Sequence, residues 1–132
     1  PAQLDFALKS AHSAFLASSS PGNPWAEVQT RSTVLYNLSR LLSARASELA
    51  KVESLQTGRC IREMKAQLGR VGEWFEYYAA LIRTQEGSTL PVKGEMLNVV
   101  ERLPLGVVLL VTPFNHRAFV LGKTGCRLPQ LT

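Results

Sequence analysis

The feature that most constrains this chain is an apolar run near its carboxyl end, within the segment LPLGVVLLVTPFNH at 103–116. Residues 107–111 read Val-Val-Leu-Leu-Val, with no polar residue alternating among them. Such a run is typical of a strand that is covered on both faces, as in a parallel α/β sheet. Ligands of these sheets bind where the strands end, which here is Thr112 to Asn115. The pattern alone favours a plainer interpretation, a strand followed by an ordinary turn, because Pro and Asn are common turn residues.

Apolar residues upstream of this run recur at helical spacing and predict a largely helical first half. The first helix carries Leu4, Leu8, Ala11 and Phe15 on one face, and the pattern breaks at 18–24. A second helix opens at Pro24 and Trp25, and its register slips near 44–47, so 48–57 is predicted as a further helical piece ended by Gly58. The periodicity then continues through 61–82. Gly69 and Gly72 lie inside it and predict a break or a close helix contact.

The periodicity changes after Gly87, where 89–92 and 96–103 read as extended segments around Lys93-Gly94-Glu95. This pattern predicts a β-hairpin. The predicted fold class is therefore α/β: helices, a hairpin, and then the first strand of a parallel sheet. A parallel neighbour needs a crossover of a dozen or more residues, and too little sequence remains before Thr132. We therefore expect the chain alone to be poorly soluble or partly folded; a monomeric sample with a sharp cooperative melt would contradict this.

Four segments of the chain carry a resemblance to a known family. Residues 104–116, PLGVVLLVTPFNH, are similar to an aldehyde dehydrogenase motif in which Pro-x-Gly-Val and an apolar stretch lead into Thr-Pro-Trp/Phe-Asn. The helix at 31–42 and the segment 48–59, ending in ESLQTGR, resemble the amino-terminal helices of that family and their Glu-(Ser/Thr)-Leu-x-(Thr/Asn)-Gly-Lys/Arg signature. The sequence FEYYA at 75–79 resembles the aromatic cluster that follows. The resemblance covers roughly 4–116, with the motifs in the order of the family.

This resemblance implies a division of the chain. Residues 1–87 correspond to the helical part of the cofactor-binding domain, and 88–104 to the β-hairpin of the oligomerisation element. Residues 105–116 correspond to the first strand of the Rossmann-like nucleotide domain and its Asn loop. Residues 117–132 form a divergent tail, since the family continues with Pro where Arg117 stands. We interpret that tail as the product of a frame change, an alternative exon or a wrongly predicted intron.

The resemblance also implies a chemistry. Aldehyde dehydrogenases oxidise an aldehyde to a carboxylic acid with NAD or NADP through a Cys thiohemiacetal, and a Glu assists hydrolysis of the thioester. Asn115 matches the Asn that donates its side-chain amide to the oxyanion, while Val111, Thr112, Pro113 and Phe114 would line the cofactor cleft. Cys60 and Cys126 lack the surroundings of the family nucleophile, and no Glu-Leu-Gly-Gly base signature is present.

Two hypotheses follow from these matches and gaps. In the first, the chain is a fragment of an aldehyde dehydrogenase, inactive by itself, whose full-length protein takes a small aldehyde and forms homo-oligomers. In the second, it is a non-catalytic short product that binds full-length subunits. The sequence identifies neither the aldehyde nor the preference between NAD and NADP.

Charge and composition narrow the remaining classes. The formal net charge is +5 and the isoelectric point about 9.6, but Arg117, Lys123 and Arg127 supply +3 of that charge. No basic stripe with interleaved aromatic residues is present, which argues against nucleic-acid binding. No targeting segment or membrane-length apolar run is present either, so we expect a cytoplasmic protein. The spacing of His12, His116 and the two cysteines does not predict a metal site, and Gly122-Lys123-Thr124 lacks the first Gly of a phosphate-binding loop.

Overall fold

The computed structural model describes residues 2–18, 20 and 22–126. Five α-helices and one small sheet occur in this part of the chain. The helices are α1 (Ala2–Ser18), α2 (Val28–Thr57), α3 (Ile61–Gly69), α4 (Val71–Leu81) and α5 (Arg117–Gly125). The strands are β1 (Ser88–Leu90) and β2 (Asn98–Val100), and short 3₁₀ turns occupy Pro24–Ala26 and Ile82–Thr84. Residues 127–132, the end of the predicted tail, lie outside the described residues.

The second helix, α2, is the longest element, and it runs without a break through 44–47, where we had predicted a separation. That prediction was wrong because the residues there, Ala44, Arg45, Ala46 and Ser47, tolerate a helix well, and a shift of the apolar stripe does not interrupt the backbone. Its end is as predicted. Gly58 adopts a left-handed φ of 73°, and its N–H donates to Ser54 O at 2.9 Å.

The core lies where α3 and α4 fold back on α2. Its buried members are Leu35, Ala50, Met64, Leu68, Val71, Phe75, Tyr78, Ala79 and Cys126. Small residues let α2 and α4 approach closely: the Ser32 hydroxyl donates to Ala79 O at 2.7 Å, and a Cβ at Gly72 would collide with Ser43 Oγ. The break between α3 and α4 near Gly69, and the close contact at Gly72, are therefore both as predicted.

The first helix, α1, has no buried residue and lies at the surface. Its end is tied to the following 3₁₀ turn by one side chain, since Asn23 donates through Nδ2 to Ala17 O and accepts from the N–H of Trp25, both at 2.9 Å. The second helix begins at Val28 rather than at Pro24, because Pro24 and Trp25 belong to that 3₁₀ turn.

The predicted hairpin is present. Strands β1 and β2 pair antiparallel, with Ser88 opposite Val100 and Leu90 opposite Asn98. Gly94 lies in their connection with a φ of 89°, a conformation that glycine adopts without strain. The paired region is shorter than the sequence suggested, and every residue in both strands is exposed.

The segment 101–113 runs from β2 toward α5, and none of its residues belongs to a ladder. Residues 106, 108, 110 and 112 are half-buried, while Val107, Leu109 and Val111 are exposed. The expected strand at 105–116 is thus an extended segment with one face against the molecule and the other bare. A strand requires a hydrogen-bonded neighbour, and the described residues supply none here. The α/β class itself is confirmed: the fold is mostly helical with a two-stranded sheet, in keeping with the amino-terminal part of a larger domain.

Candidate functional site

The candidate site is the turn at 112–116, which links the extended segment to α5. Thr112 is half-buried, whereas Pro113, Phe114 and Asn115 are exposed. The Asn115 side chain therefore presents two amide donors and one carbonyl acceptor to solvent at the end of an apolar segment. This is the position at which an amide can meet a ligand that approaches from outside.

Two hydrogen bonds support the turn around Asn115, one from the Arg117 side chain to the backbone and one between the side chains of His116 and Gln67. The Arg117 guanidinium donates from Nε to Phe114 O at 3.3 Å, which closes the turn. His116, the first residue after Asn115, places Nδ1 2.7 Å from Gln67 Oε1 on α3. The turn is thereby joined to a helix that lies 49 residues earlier in the chain.

Gln67 belongs to a polar cluster on α3. Its Nε2 donates to Glu63 Oε1 at 3.1 Å, and the same carboxylate binds Arg59, whose Nη2 lies 2.6 Å from Oε1. The hydrogen bond from Arg59 lowers the pKa of the Glu63 carboxyl below its usual value, with burial opposing and smaller lowering effects from the Arg59 charge, His116 and Gln67. Glu63 is therefore an ionised acceptor at neutral pH.

The far end of α5 is packed against the core. A Cβ at Gly122 would lie 2.5 Å from Val71 Cγ1, so glycine is required for this approach. The Lys123 ammonium lies 5.5 Å from the centre of the Trp74 ring, within cation–π range. Phe119 also packs against the buried cluster. The helix α5 is thus held at its start through His116 and at its end through Gly122 and Lys123.

The cysteines and the Gly122-Lys123-Thr124 segment do not lie at this turn. Cys60 is exposed at the start of α3, and Cys126 is buried, with its thiol 3.3 Å from Lys123 O. Within the described residues no group of three or more His, Cys, Asp or Glu side chains is placed to hold a metal ion. Gly122-Lys123-Thr124 lies inside α5 rather than in a phosphate-binding loop. Phe75 and Tyr78, which fall within the apolar periodicity of 61–82, are buried in the core and are not available to a ligand at the surface.

Two surface clefts occur elsewhere. The larger, about 750 Å³, lies between the end of α1, the start of α2 and the segment after β2, with Arg31, Glu86, Glu101 and Arg102 among its lining residues. The smaller, about 450 Å³, is mainly apolar and is lined by α1 and by Gly106 to Val108. Neither cleft includes residues 111–115. No helix in the described part of the chain has both the length and the apolar character to cross a bilayer.

Comparison with known proteins decides the family. The model of the family described as "Aldehyde dehydrogenase family" matches residues 1–126. The chain belongs to the aldehyde dehydrogenase family. The match extends ten residues past His116, where we expected the resemblance to end, and so includes α5.

Curated relatives agree. A "(Z)-2-((N-methylformamido)methylene)-5-hydroxybutyrolactone dehydrogenase" from Acinetobacter baylyi is 37% identical over 89% of this chain and 24% of its own length. "Hydroxyisobutyraldehyde dehydrogenase" from Mycolicibacterium austroafricanum is 30% identical over 72% of the chain and 19% of its own length. "4-Trimethylaminobutyraldehyde dehydrogenase A" from Danio rerio is 28% identical over 86% and 22%. The chain thus spans about a quarter or less of the length of these relatives. No solved structure matches it.

Of the four residues that the resemblance assigns to the cofactor, Val111, Pro113 and Phe114 are exposed and Thr112 is half-buried. Val111 and Phe114 are each 84% exposed, and among the described residues no opposing wall faces them. A nicotinamide cofactor needs a cleft that buries most of its surface. The cofactor-lining role of residues 111–114 therefore stays a prediction, and it requires further walls that the described residues do not supply.

Asn115 is evident from its sequence motif, but Gln67 and Glu63, which support the turn that carries it, are not. Gln67 and Glu63 carry no motif, and only the fold places them beside His116. The one available signal was their spacing: Glu63 and Gln67 are four residues apart and share a face of α3, and Arg59 stands four residues before Glu63.

Proposed function

We propose that this chain is the amino-terminal part of a cytoplasmic, oligomeric NAD(P)-dependent aldehyde dehydrogenase that oxidises a small aldehyde to a carboxylic acid. The observation that carries the proposal is the exposed Asn115 amide, in a turn fixed on both sides, inside the segment that the family match covers. Neither Cys60 nor Cys126 lies at this turn, so the attacking thiolate and the Glu base come from other sequence of the full-length protein. The chain alone is inactive.

Asn115 has one task in this proposal. When a thiolate attacks the carbonyl carbon of an aldehyde, negative charge collects on the oxygen, and a preorganised N–H donor stabilises it. The side-chain amide of Asn115 supplies that donor. The Phe114–Arg117 and His116–Gln67 hydrogen bonds hold the turn beforehand, so little reorganisation is needed when the charge forms.

A graft tests the proposal directly. Residues 1–126 replace the matching segment of the Acinetobacter baylyi relative, and aldehyde-dependent reduction of the nicotinamide cofactor is measured. We expect turnover from the graft, and a loss of about 10²- to 10³-fold in kcat with Asn115→Ala, the usual cost of removing one oxyanion donor. Asn37→Ala on the exposed face of α2 is the matched control and should leave kcat unchanged.

A folded graft without turnover would overturn the proposal, as would equal activity in the Asn115→Ala and Asn37→Ala variants. If the long graft does not fold, a shorter one that carries only residues 103–116 keeps the test available, because it transfers the turn without the helical layer.

The second candidate, a short product that binds full-length subunits, is favoured by the bare face of the extended segment, where Leu109 is 74% exposed and Val111 84%. It predicts that the isolated chain co-elutes with a full-length family subunit in size-exclusion chromatography, and that Leu109→Lys abolishes the co-elution. Leu55→Lys, on the exposed face of α2, is the control. Separate elution of the unaltered chain would contradict this candidate.

A further inference from the structure

A continuous row of hydrogen bonds connects α3 to the residue that follows Asn115. Arg59 binds the Glu63 carboxylate, Gln67 Nε2 donates to Glu63 Oε1 at 3.1 Å, and Gln67 Oε1 lies 2.7 Å from His116 Nδ1. Gln67 and His116 are both half-buried, so these contacts are partly shielded from water. The row ends one residue from the amide to which we have assigned the oxyanion.

The donors and acceptors in this row leave one consistent arrangement. The Glu63 carboxylate, ionised and bound to Arg59, can only accept. Gln67 must therefore turn its NH₂ group toward Glu63, which leaves its carbonyl oxygen facing His116. A carbonyl oxygen only accepts, so Nδ1 of His116 must carry a hydrogen. When the imidazole is neutral, Nε2 is then the ring nitrogen without one.

We propose that Gln67 is a positioning residue for Asn115, acting by holding His116 as its Nδ1–H tautomer and thereby fixing the start of α5. The proposal rests on the proposed function of Asn115 for its kinetic consequence, but its structural part stands independently. His116 has a φ of −147° and precedes the first helical residue, so its side chain is the link between α3 and the turn.

The other contacts of α5 show what the His116–Gln67 hydrogen bond adds. Gly122 against Val71 and Lys123 over Trp74 hold only its far end. Without the bond to Gln67, the near end of α5 keeps the Arg117–Phe114 hydrogen bond and the packing of Ala118 and Phe119 on the core, but the His116 side chain no longer ties the turn to α3, and the Asn115 amide loses that support. Because a displacement of about 1 Å can cost about 100-fold in rate, we expect Gln67→Leu to lower kcat by about 10- to 100-fold in the active graft.

The tautomer of His116 can be measured directly, and it would not change if Gln67 only stabilised the fold. The chain contains two histidines, and His12 is exposed on α1, where it serves as an internal reference. Ring ¹⁵N chemical shifts of the histidine-labelled chain, recorded where both imidazoles are neutral, should show Nδ1–H for His116 and the usual Nε2–H preference for His12. If the chain associates, the spectra are recorded in a Leu109→Lys background.

Two variants separate the tautomer from general stability. Gln67→Leu should return His116 to the Nε2–H pattern of His12, whereas Gln56→Leu, an exposed Gln→Leu change on α2, should leave it unchanged. In the double variant Glu63→Gln, Gln67→Glu, the carboxylate at position 67 can accept from His116 Nδ1–H, and the amide NH₂ at position 63 can donate to that carboxylate. This variant should therefore restore both the Nδ1–H pattern and most of the kcat lost in Gln67→Leu.

The spectra and the kinetics test the tautomer, the positioning role of Gln67 and the proposed function separately. A His116 spectrum like that of His12 in the unaltered chain overturns the inference. The expected spectrum with unchanged kcat in Gln67→Leu overturns the positioning role. The expected spectrum in a folded graft that shows no turnover overturns the proposed function instead, because the spectrum does not depend on catalysis.

Discussion

The helical layer and the extended segment after it both carry many apolar residues, yet these residues end in opposite states of burial. In 28–82 one face each of α2, α3 and α4 forms a shared core, and Met64 and Ile82 are almost completely buried. In 101–113 no residue is fully buried, and Leu109 is 74% exposed. Helices satisfy their own backbone groups, whereas an extended segment satisfies them only through a neighbour. Burial of an apolar segment in this chain therefore depends on whether another described element packs against it.

Truncation of a core side chain and of an exposed one should separate the two regions most strongly. Met64 is 1% exposed, so Met64→Ala should lower the free energy of unfolding by about 2–5 kcal/mol. Leu109→Ala should change it by less than about 0.5 kcal/mol. Urea denaturation followed by circular dichroism measures both. Equal losses would show that the extended segment shares the core of the helical layer.

A glycine pair sharpens the comparison within the helical layer. A Cβ at Gly72 would collide with Ser43 Oγ and lie 3.1 Å from Ser39 O, so Gly72→Ala should destabilise the chain by about 1–3 kcal/mol. Gly69 has no atom within 4 Å of the added Cβ, and Gly69→Ala should stabilise it by about 0.4–1 kcal/mol. Thermal melts of the two variants should shift in opposite directions; a shift of the same sign in both would contradict the close packing of α2 on α4.

The smallest change in folding free energy is expected from a charge on the bare face. Leu109→Lys should leave the melt almost unchanged but reduce self-association, because a lysine on an unpaired extended segment discourages edge-to-edge pairing. Light scattering at increasing chain concentration measures this, with Leu55→Lys on α2 as the control. If both lysines reduce association equally, net charge rather than the extended segment is responsible.

Local signals in the sequence predicted those features that local physics determines. Gly58 ends α2 because only glycine enters the left-handed region readily, and Phe75 and Tyr78 occupy the core because they continue the apolar stripe of α4. The prediction of a break near 44–47 was wrong because the apolar stripe can shift to another face of a helix while the helix itself continues. The strand at 105–116 is unpaired because pairing is a property of two segments, and the sequence of one cannot supply the other.

The candidate site divides along the same line. Asn115 was found from the order of residues in the Thr-Pro-Phe-Asn motif, and the family match confirms the family to which that motif belongs; its oxyanion role stays a prediction. Gln67 could not be found in this way, because its contact with His116 joins positions 49 residues apart and depends on how α3 and α5 pack. Residues in a motif are visible in the sequence, whereas the residues that support them become visible only in the fold.

The unbroken 30-residue α2 has a consequence for the order in which the chain folds. At a rise of about 1.5 Å per residue it is about 45 Å long, and α3 and α4 return along it without any intervening segment. The contacts of α2 with α3 and α4 all lie within residues 28–82, so they can form once that part of the chain is available. During synthesis, the layer of α2, α3 and α4 can therefore assemble before the extended segment has left the ribosome, so the turn that carries Asn115 reaches a scaffold that is already in place.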